Sequence, residues 1–208
     1  MTIPILRTVL PAMATVALLL GSPGAAGAAI NMDFSPNTQT VGIGATVSVQ
    51  FRLASDNGAN QLAAAAEIVL GWDPTKLKLT GISQTGATGL LSSGFPFPDP
   101  YGLNEVNPPA DGTGYYQAYA LLGSPIVCTP GGTLITTLKF TALAATAGTP
   151  VAMLPSGGSP VLHTRVFDGT QPNTLVTGTV DTVNVTITPE PGTLGLLGCL
   201  ELFGLRRR

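Results

Sequence analysis

Apolar and polar residues alternate through most of the middle of the chain, with the period of two that a half-buried strand requires. The cleanest run sets Val47, Val49, Phe51 and Leu53 against Ser48, Gln50 and Arg52, and a shorter one, Ile30, Met32 and Phe34, ends at Pro36. Further strand runs cover 78–82, 115–122, 133–142, 151–154, 161–167 and 179–187. Within them Leu134, Thr136, Leu138 and Phe140 share one face, and Val183, Val185 and Ile187 another. The segment 62–70 opens with Ala63, Ala64, Ala65 and Ala66, which propensity alone makes helical. Its exit through Ile68 and Val69 is β-branched, so the pattern predicts a strand there too. Turn residues separate the runs, notably Ser55-Asp56-Asn57-Gly58 and the tight turn Asp73-Pro74-Thr75-Lys76-Leu77. Residues 94–114 form a long loop stiffened by five prolines and carrying Phe95, Phe97 and Tyr101. Eight or nine short strands without an internal repeat predict an all-β antiparallel sandwich over 29–188.

The two ends follow other rules. Residues 1–28 have the three parts of a secretory signal peptide: the single charge of Arg7, a mainly apolar stretch over 9–20, and the small-x-small site Ala26-Gly27-Ala28. Twelve apolar residues fall short of the roughly twenty that span a bilayer, so the reading is a signal helix cleaved by signal peptidase after Ala28. Residues 189–208 read Pro189-Glu190-Pro191, a Leu- and Gly-rich run over 192–205, and Arg206-Arg207-Arg208. As a short hydrophobic helix the run spans about 21 Å of a roughly 30 Å hydrocarbon core. Its Leu and Phe residues favour insertion by about 3.5 kcal/mol, most of which a central acid such as Glu201 offsets. Insertion is therefore marginal, so any stay in the membrane is expected to be transient, with the terminal arginines on the cytoplasmic side.

Composition changes the picture by exclusion. Only 10% of residues are charged and the mean hydropathy is +0.38. Within 29–188 five Lys and Arg stand against nine Asp and Glu, with no basic cluster. Nucleic-acid binding rests on phosphate neutralisation, and is not expected. His163 is the only histidine and the carboxylates are scattered, so neither a metal site nor a Ser/His catalytic arrangement is expected. No cofactor is expected, and the reading is non-enzymatic. Cys128 and Cys199 are the two cysteines. They are not expected to pair, and Cys128, with no cation beside it, reads as buried and inert. Asp56-Asn57-Gly58-Ala59-Asn60 offers oxygen ligands but no bidentate acid, and reads as a plain turn rather than a calcium loop. Tyr115 and Tyr119 fall on one strand face and are expected in the core. Phe97 and Tyr101, on the proline-rich loop, are the candidate glycan contacts, because sugar rings stack on aromatic faces.

Two resemblances add to this reading. A strand ending in Trp72-Asp73-Pro74-Thr75-Lys76-Leu77, together with the later Gly132-Thr133-Leu134-Ile135-Thr136-Thr137-Leu138-Lys139-Phe140 and the stretch 148–153, resembles the cohesin-like domains. That resemblance implies a jelly-roll β-sandwich of the kind shared by cohesins and some carbohydrate-binding modules. Pro189-Glu190-Pro191, the short apolar run and Arg206-Arg207-Arg208 resemble the PEP-CTERM sorting signal of Gram-negative bacteria, with Glu201 a departure from its uncharged span. This second resemblance implies processing by an exosortase near Pro189-Glu190-Pro191 and passage through the inner membrane. It also implies a final place at the cell surface or in the extracellular matrix, with extracellular polysaccharide or a surface protein as partner. The sequence thus divides into 1–28, 29–188 and 189–208. A second possibility is a carbohydrate-binding module gripping glycan through the 94–114 loop.

Overall fold

A computed structural model describes residues 29–190, except 89, 91, 121–123 and 171–173. The signal segment 1–28, with Ala26 and Ala28, and the tail from Pro191 through Arg206, Arg207 and Arg208 lie outside the described residues. Pro189 and Glu190 are described, exposed and irregular.

The described residues are all-β. In chain order the strands are β1 (Ile30–Ser35), β2 (Thr38–Gly42), β3 (Thr46–Ser55), β4 (Gln61–Ala63), β5 (Ala65–Trp72), β6 (Leu77–Ser83), β7 (Ser92–Gly94) and β8 (Thr113–Tyr119). They continue with β9 (Ile126–Cys128), β10 (Thr133–Ala142), β11 (Thr146–Leu154), β12 (Ser156–Gly157), β13 (Leu162–His163), β14 (Arg165–Phe167), β15 (Thr177–Val180) and β16 (Thr182–Thr188). A five-stranded sheet in the order β15-β1-β3-β10-β6 packs on a seven-stranded sheet in the order β2-β16-β11-β5-β8-β7, with β14 added to β5. Two short ribbons, β4–β9 and β12–β13, complete the set.

The core fills the space between the two sheets. Phe34, Phe51 and Phe140 come from the first sheet, and Ile68, Leu70, Trp72, Tyr116 and Val185 from the second. Edge-to-face ring pairs lock the layers together: Phe51 on Tyr116 at 6.2 Å, Phe95 on Tyr116 at 5.7 Å and Trp72 on Phe140 at 5.7 Å. The pattern in β3 and β16 is the one the alternation predicts, with Val47, Val49, Phe51, Leu53, Val183, Val185 and Ile187 all buried. The turn at Asp73 also forms as expected. Its carboxylate accepts from the Thr75 hydroxyl at 2.7 Å and the Thr75 N–H at 2.8 Å, and these bonds hold its pKa below the ordinary carboxylate value.

Strand number is where the chain departs from expectation: the described residues hold sixteen strands rather than eight or nine. Some of the extra ones arise where a predicted run breaks, several of them to change sheets at a corner of the sandwich, while β2, β7, β9 and β12 lie outside every predicted run. The 62–70 run breaks at Ala64, whose N–H donates to the Phe167 carbonyl and whose carbonyl accepts from the Ala120 N–H. As a result β4 pairs with β9 while β5 joins the second sheet. The 179–187 run breaks at Asp181 into β15 in one sheet and β16 in the other. The chain also changes sheets between β1, which ends before Pro36 as expected, and the unpredicted β2. The two hops run side by side, giving parallel pairs β1–β15 and β2–β16 within an otherwise antiparallel fold. The 161–167 run breaks at Thr164. In β10 a bulge between Leu134 and Thr136 shifts the register, so Ile135 takes the inward position that strict alternation with Thr136, Leu138 and Phe140 would give Leu134. Leu134 is only half-buried, while Thr136, Leu138 and Phe140 stay inside.

Candidate binding face

The outer face of the seven-stranded sheet brings aromatic and charged side chains together, and β8 shows why. Tyr116 and Ala118 point into the main core, so Tyr115, Gln117 and Tyr119 point outward. This corrects the expectation for Tyr119, which is exposed, whereas Tyr115 is buried as expected but in a second cluster outside the two sheets. They share a face, but alternation alone does not say which face is inside, and Tyr116 took the interior.

Tyr115 is nevertheless buried, because the chain covers its own sheet there. Val69, Leu103, Tyr115 and Leu162 form a second buried cluster, with Tyr101 and Leu154 packed against it. The cover has two parts. The long loop is stitched down by Asn104, whose amide donates to the Pro96 and Tyr115 carbonyls at 2.9 and 2.7 Å and accepts from the Tyr115 N–H at 2.8 Å. Asp99 holds the same loop by accepting from the N–H groups of Tyr101, Leu103 and Asn104. The second part is the β12–β13 hairpin, anchored by the Thr164 hydroxyl, which accepts from the Val69 N–H at 2.9 Å and donates to the Leu154 carbonyl. Sequence reasoning passed over Asn104 because an Asn in a Pro-rich loop reads as a turn former, and its partners lie eight and eleven residues away.

The cover stops short of the other end of the sheet, leaving a strip across β14, β5 and β8. Register places Arg165 beside Glu67 and Glu67 beside Gln117, with Phe167 beside Ala65 and Ala65 beside Tyr119 in the next row. Arg165 forms an ion pair with Glu67, and its guanidinium sits 5.1 Å over the Phe167 ring. Gln117 links the tyrosines, donating to the Tyr115 hydroxyl and accepting from that of Tyr119. Burial, reinforced by the Glu67 charge, raises the Tyr119 pKa. Tyr119 is 37% exposed. At ~4.8 Å per strand, the Phe167 and Tyr119 rows stand about 10 Å apart across Ala65. The result is a shallow trough with aromatic walls, a methyl floor and a charged pair alongside.

The other candidate residues do not converge on it. Phe97 projects from the long loop, 55% exposed, while Tyr101 lies half-buried edge-on to Tyr115 at 5.9 Å. No ring contact joins Phe97 to Tyr101 among the described residues. Asp56 and Asn57 form the turn expected of them, with Asn57 accepting from the Ser55 hydroxyl and the Ala59 N–H at 3.0 Å each. Cys128 is buried as expected, and burial pushes its thiol up to about 12. His163 is exposed on β13.

No family profile and no curated protein matches the chain. Solved structures do. The fold is similar to the cohesin module of a family 33 glycoside hydrolase from Clostridium perfringens, with TM-score 0.53 and 12% identity over 78% of this chain and 99% of that one. It is similar to the seventh ScaB type I cohesin of Pseudobacteroides cellulosolvens, with TM-score 0.55 and 12% identity over 78% and 94%. A third match lies in a type I cohesin–dockerin complex of Clostridium thermocellum, with TM-score 0.54 and 12% identity over 77% and 99%. At this identity the likeness shows the fold: a cohesin-like β-sandwich.

Proposed function

We propose that this chain is an exported, non-catalytic docking module of the cell surface or extracellular matrix, and that it binds a surface protein through the trough between Phe167 and Tyr119. The observation that carries the reading is the strip itself. Two aromatic walls, an ion pair with its Arg165 side partly exposed and a Tyr–Gln–Tyr ladder sit on a sheet, a mixture of aromatic, Arg and polar groups as at protein interfaces. A fold neighbour that occurs in a cohesin–dockerin complex supports a protein as partner. The ends supply the route: signal peptidase cuts after Ala28, and an exosortase recognises Pro189-Glu190-Pro191 with Arg206, Arg207 and Arg208 while the tail is held in the inner membrane of a Gram-negative cell. The second reading, glycan capture by the 94–114 loop, draws on the exposed ring of Phe97.

Fractionation of cells carrying the double variant Tyr119→Ala, Phe167→Ala tests the docking. The variant is expected to be exported and folded, with its melting temperature kept, but released from the surface fraction into the medium. Retention equal to the parent chain contradicts the trough. Deletion of 189–208 tests the route in the same fractions: unchanged location and gel mobility would sink it.

A further inference from the structure

On the opposite sheet, at the corner where both the first and the last strands change sheets, lies a groove of about 400 Å³. Its walls are Asp33 from β1, Arg52 from β3, Ser35 and Asn37 at the first hop, Asp181 at the second, and the Pro130-Gly131-Gly132 turn. Asp33 and Arg52 are direct cross-strand partners on the outer face, yet they form no ion pair. Arg52 is drawn the other way: its Nη2 donates to the Gly131 and Gly132 carbonyls at 3.3 and 2.8 Å. Gly132, at a φ of +82°, permits this, since a Cβ there would stand 3.0 Å from Arg52 Nε. The guanidinium therefore lies along the turn, and Nη1 makes no hydrogen bond among the described residues.

Asp33 is left in the same condition. Its carboxylate accepts no hydrogen bond among the described residues; burial and the neighbouring Asp181 disfavour its charge, and the Arg52 guanidinium offsets them only in part. Asp181 is differently placed, since its two oxygens accept from the Phe34 N–H at 3.2 Å and the Thr182 N–H at 2.7 Å. The groove thus combines an open acceptor, an open donor, the hydroxyl of Ser35 and the amide of Asn37, all set on paired strands and two hinge residues.

Charge and hydrogen-bonding capacity narrow the ligand. Two carboxylates against one guanidinium give the groove a net charge of about −1, which disfavours an anion. A cation is disfavoured by the guanidinium on the same wall, and an apolar ligand by the polar lining. What remains is a group that donates to Asp33 and accepts from Arg52 at once, as vicinal hydroxyls do. The volume falls within the roughly 300–1,000 Å³ of small-ligand sites. We propose that this groove binds a neutral saccharide, with adjacent hydroxyls bridging Asp33 and Arg52. The site lies on the other sheet from the docking trough and goes beyond the docking reading.

Saturation-transfer NMR and calorimetry on the exported chain with maltose, cellobiose and lactose, each at about 10 mM, provide the test. At least one neutral disaccharide is expected to bind. Its affinity should fall about tenfold or more in Asp33→Ala and in the shape-preserving Asp33→Asn, as expected for loss of a hydrogen bond to a charged group. It should be unchanged in Tyr119→Ala with Phe167→Ala, so failure of the groove and failure of the trough are read separately. Binding of none of the three sugars overturns the proposal. So does binding that survives both Asp33 variants, binding lost instead in Phe97→Ala with Tyr101→Ala, or a response only to galacturonate or to calcium chloride alone.

Discussion

At the scale of single residues, Asp33 carries a stability cost that the rest of β1 does not share. Its folded pKa is raised above the ordinary 3.8, first by burial and then by Asp181. On raising pH the unfolded chain ionises first and the folded chain later, so this group makes stability fall as pH climbs through that window. Below 3.8 it is protonated in both states and contributes nothing. Asp33→Asn, which mimics the protonated acid, should therefore unfold at higher urea than the parent at pH 7, with the difference vanishing below about pH 3.8. Urea midpoints measured from pH 3 to 7 check this, and a variant less stable at pH 7 would refute it. A residue that costs stability where it stands fits a ligand contact better than a structural one. The sequence showed Asp33 only as the polar partner in a short alternating run. Its neighbour Asp181 is 148 residues away, and no local pattern brings the two together. Cys128 was legible as buried and inert because no cation stands beside it in the sequence, although its strand was not foreseen.

At the scale of elements, the β12–β13 hairpin decides how much of the seven-stranded sheet stays open. Gly158, at a φ of +83°, lies so close that a Cβ there would meet the Tyr101 carbonyl at 2.9 Å. Gly157 is pressed similarly on Val69. Gly158→Ala is therefore expected to lose about 1–3 kcal/mol and to open residues 155–164 to protease. Limited proteolysis with a urea titration reads both, and unchanged cleavage would mean that the hairpin is not held by this contact. Strand existence was largely legible from the period-two pattern, as β3, β6 and β16 show. Strand ends were not. The breaks at Ala64, Thr164 and Asp181 are fixed by hydrogen bonds to Phe167, Val69 and Phe34, and these long-range partners leave no mark on local alternation. The bulge that exchanged Leu134 for Ile135 is invisible for the same reason.

At the scale of the molecule, a cohesin-like sandwich with a core locked by Phe51, Tyr116, Trp72 and Phe140 presents two outer faces with different chemistry. One carries the aromatic trough, the other the polar groove. Fold class was legible because short alternating runs, turn residues and the Trp72–Leu77 segment all pointed to the same architecture. The candidate binding face was not, because β8 offers two tyrosine-bearing faces and only tertiary packing chooses Tyr116 for the interior. The central claim is that the exported chain docks a protein through the trough. A photo-crosslinking residue at position 119 of the full chain, compared with one at position 80 on the outer face of the other sheet, tests it most directly. The account predicts one discrete protein adduct from position 119 in the surface fraction, absent from position 80 and lost on Phe167→Ala. Equal adducts from both positions, or none from 119 while the chain is still retained at the surface, would contradict it.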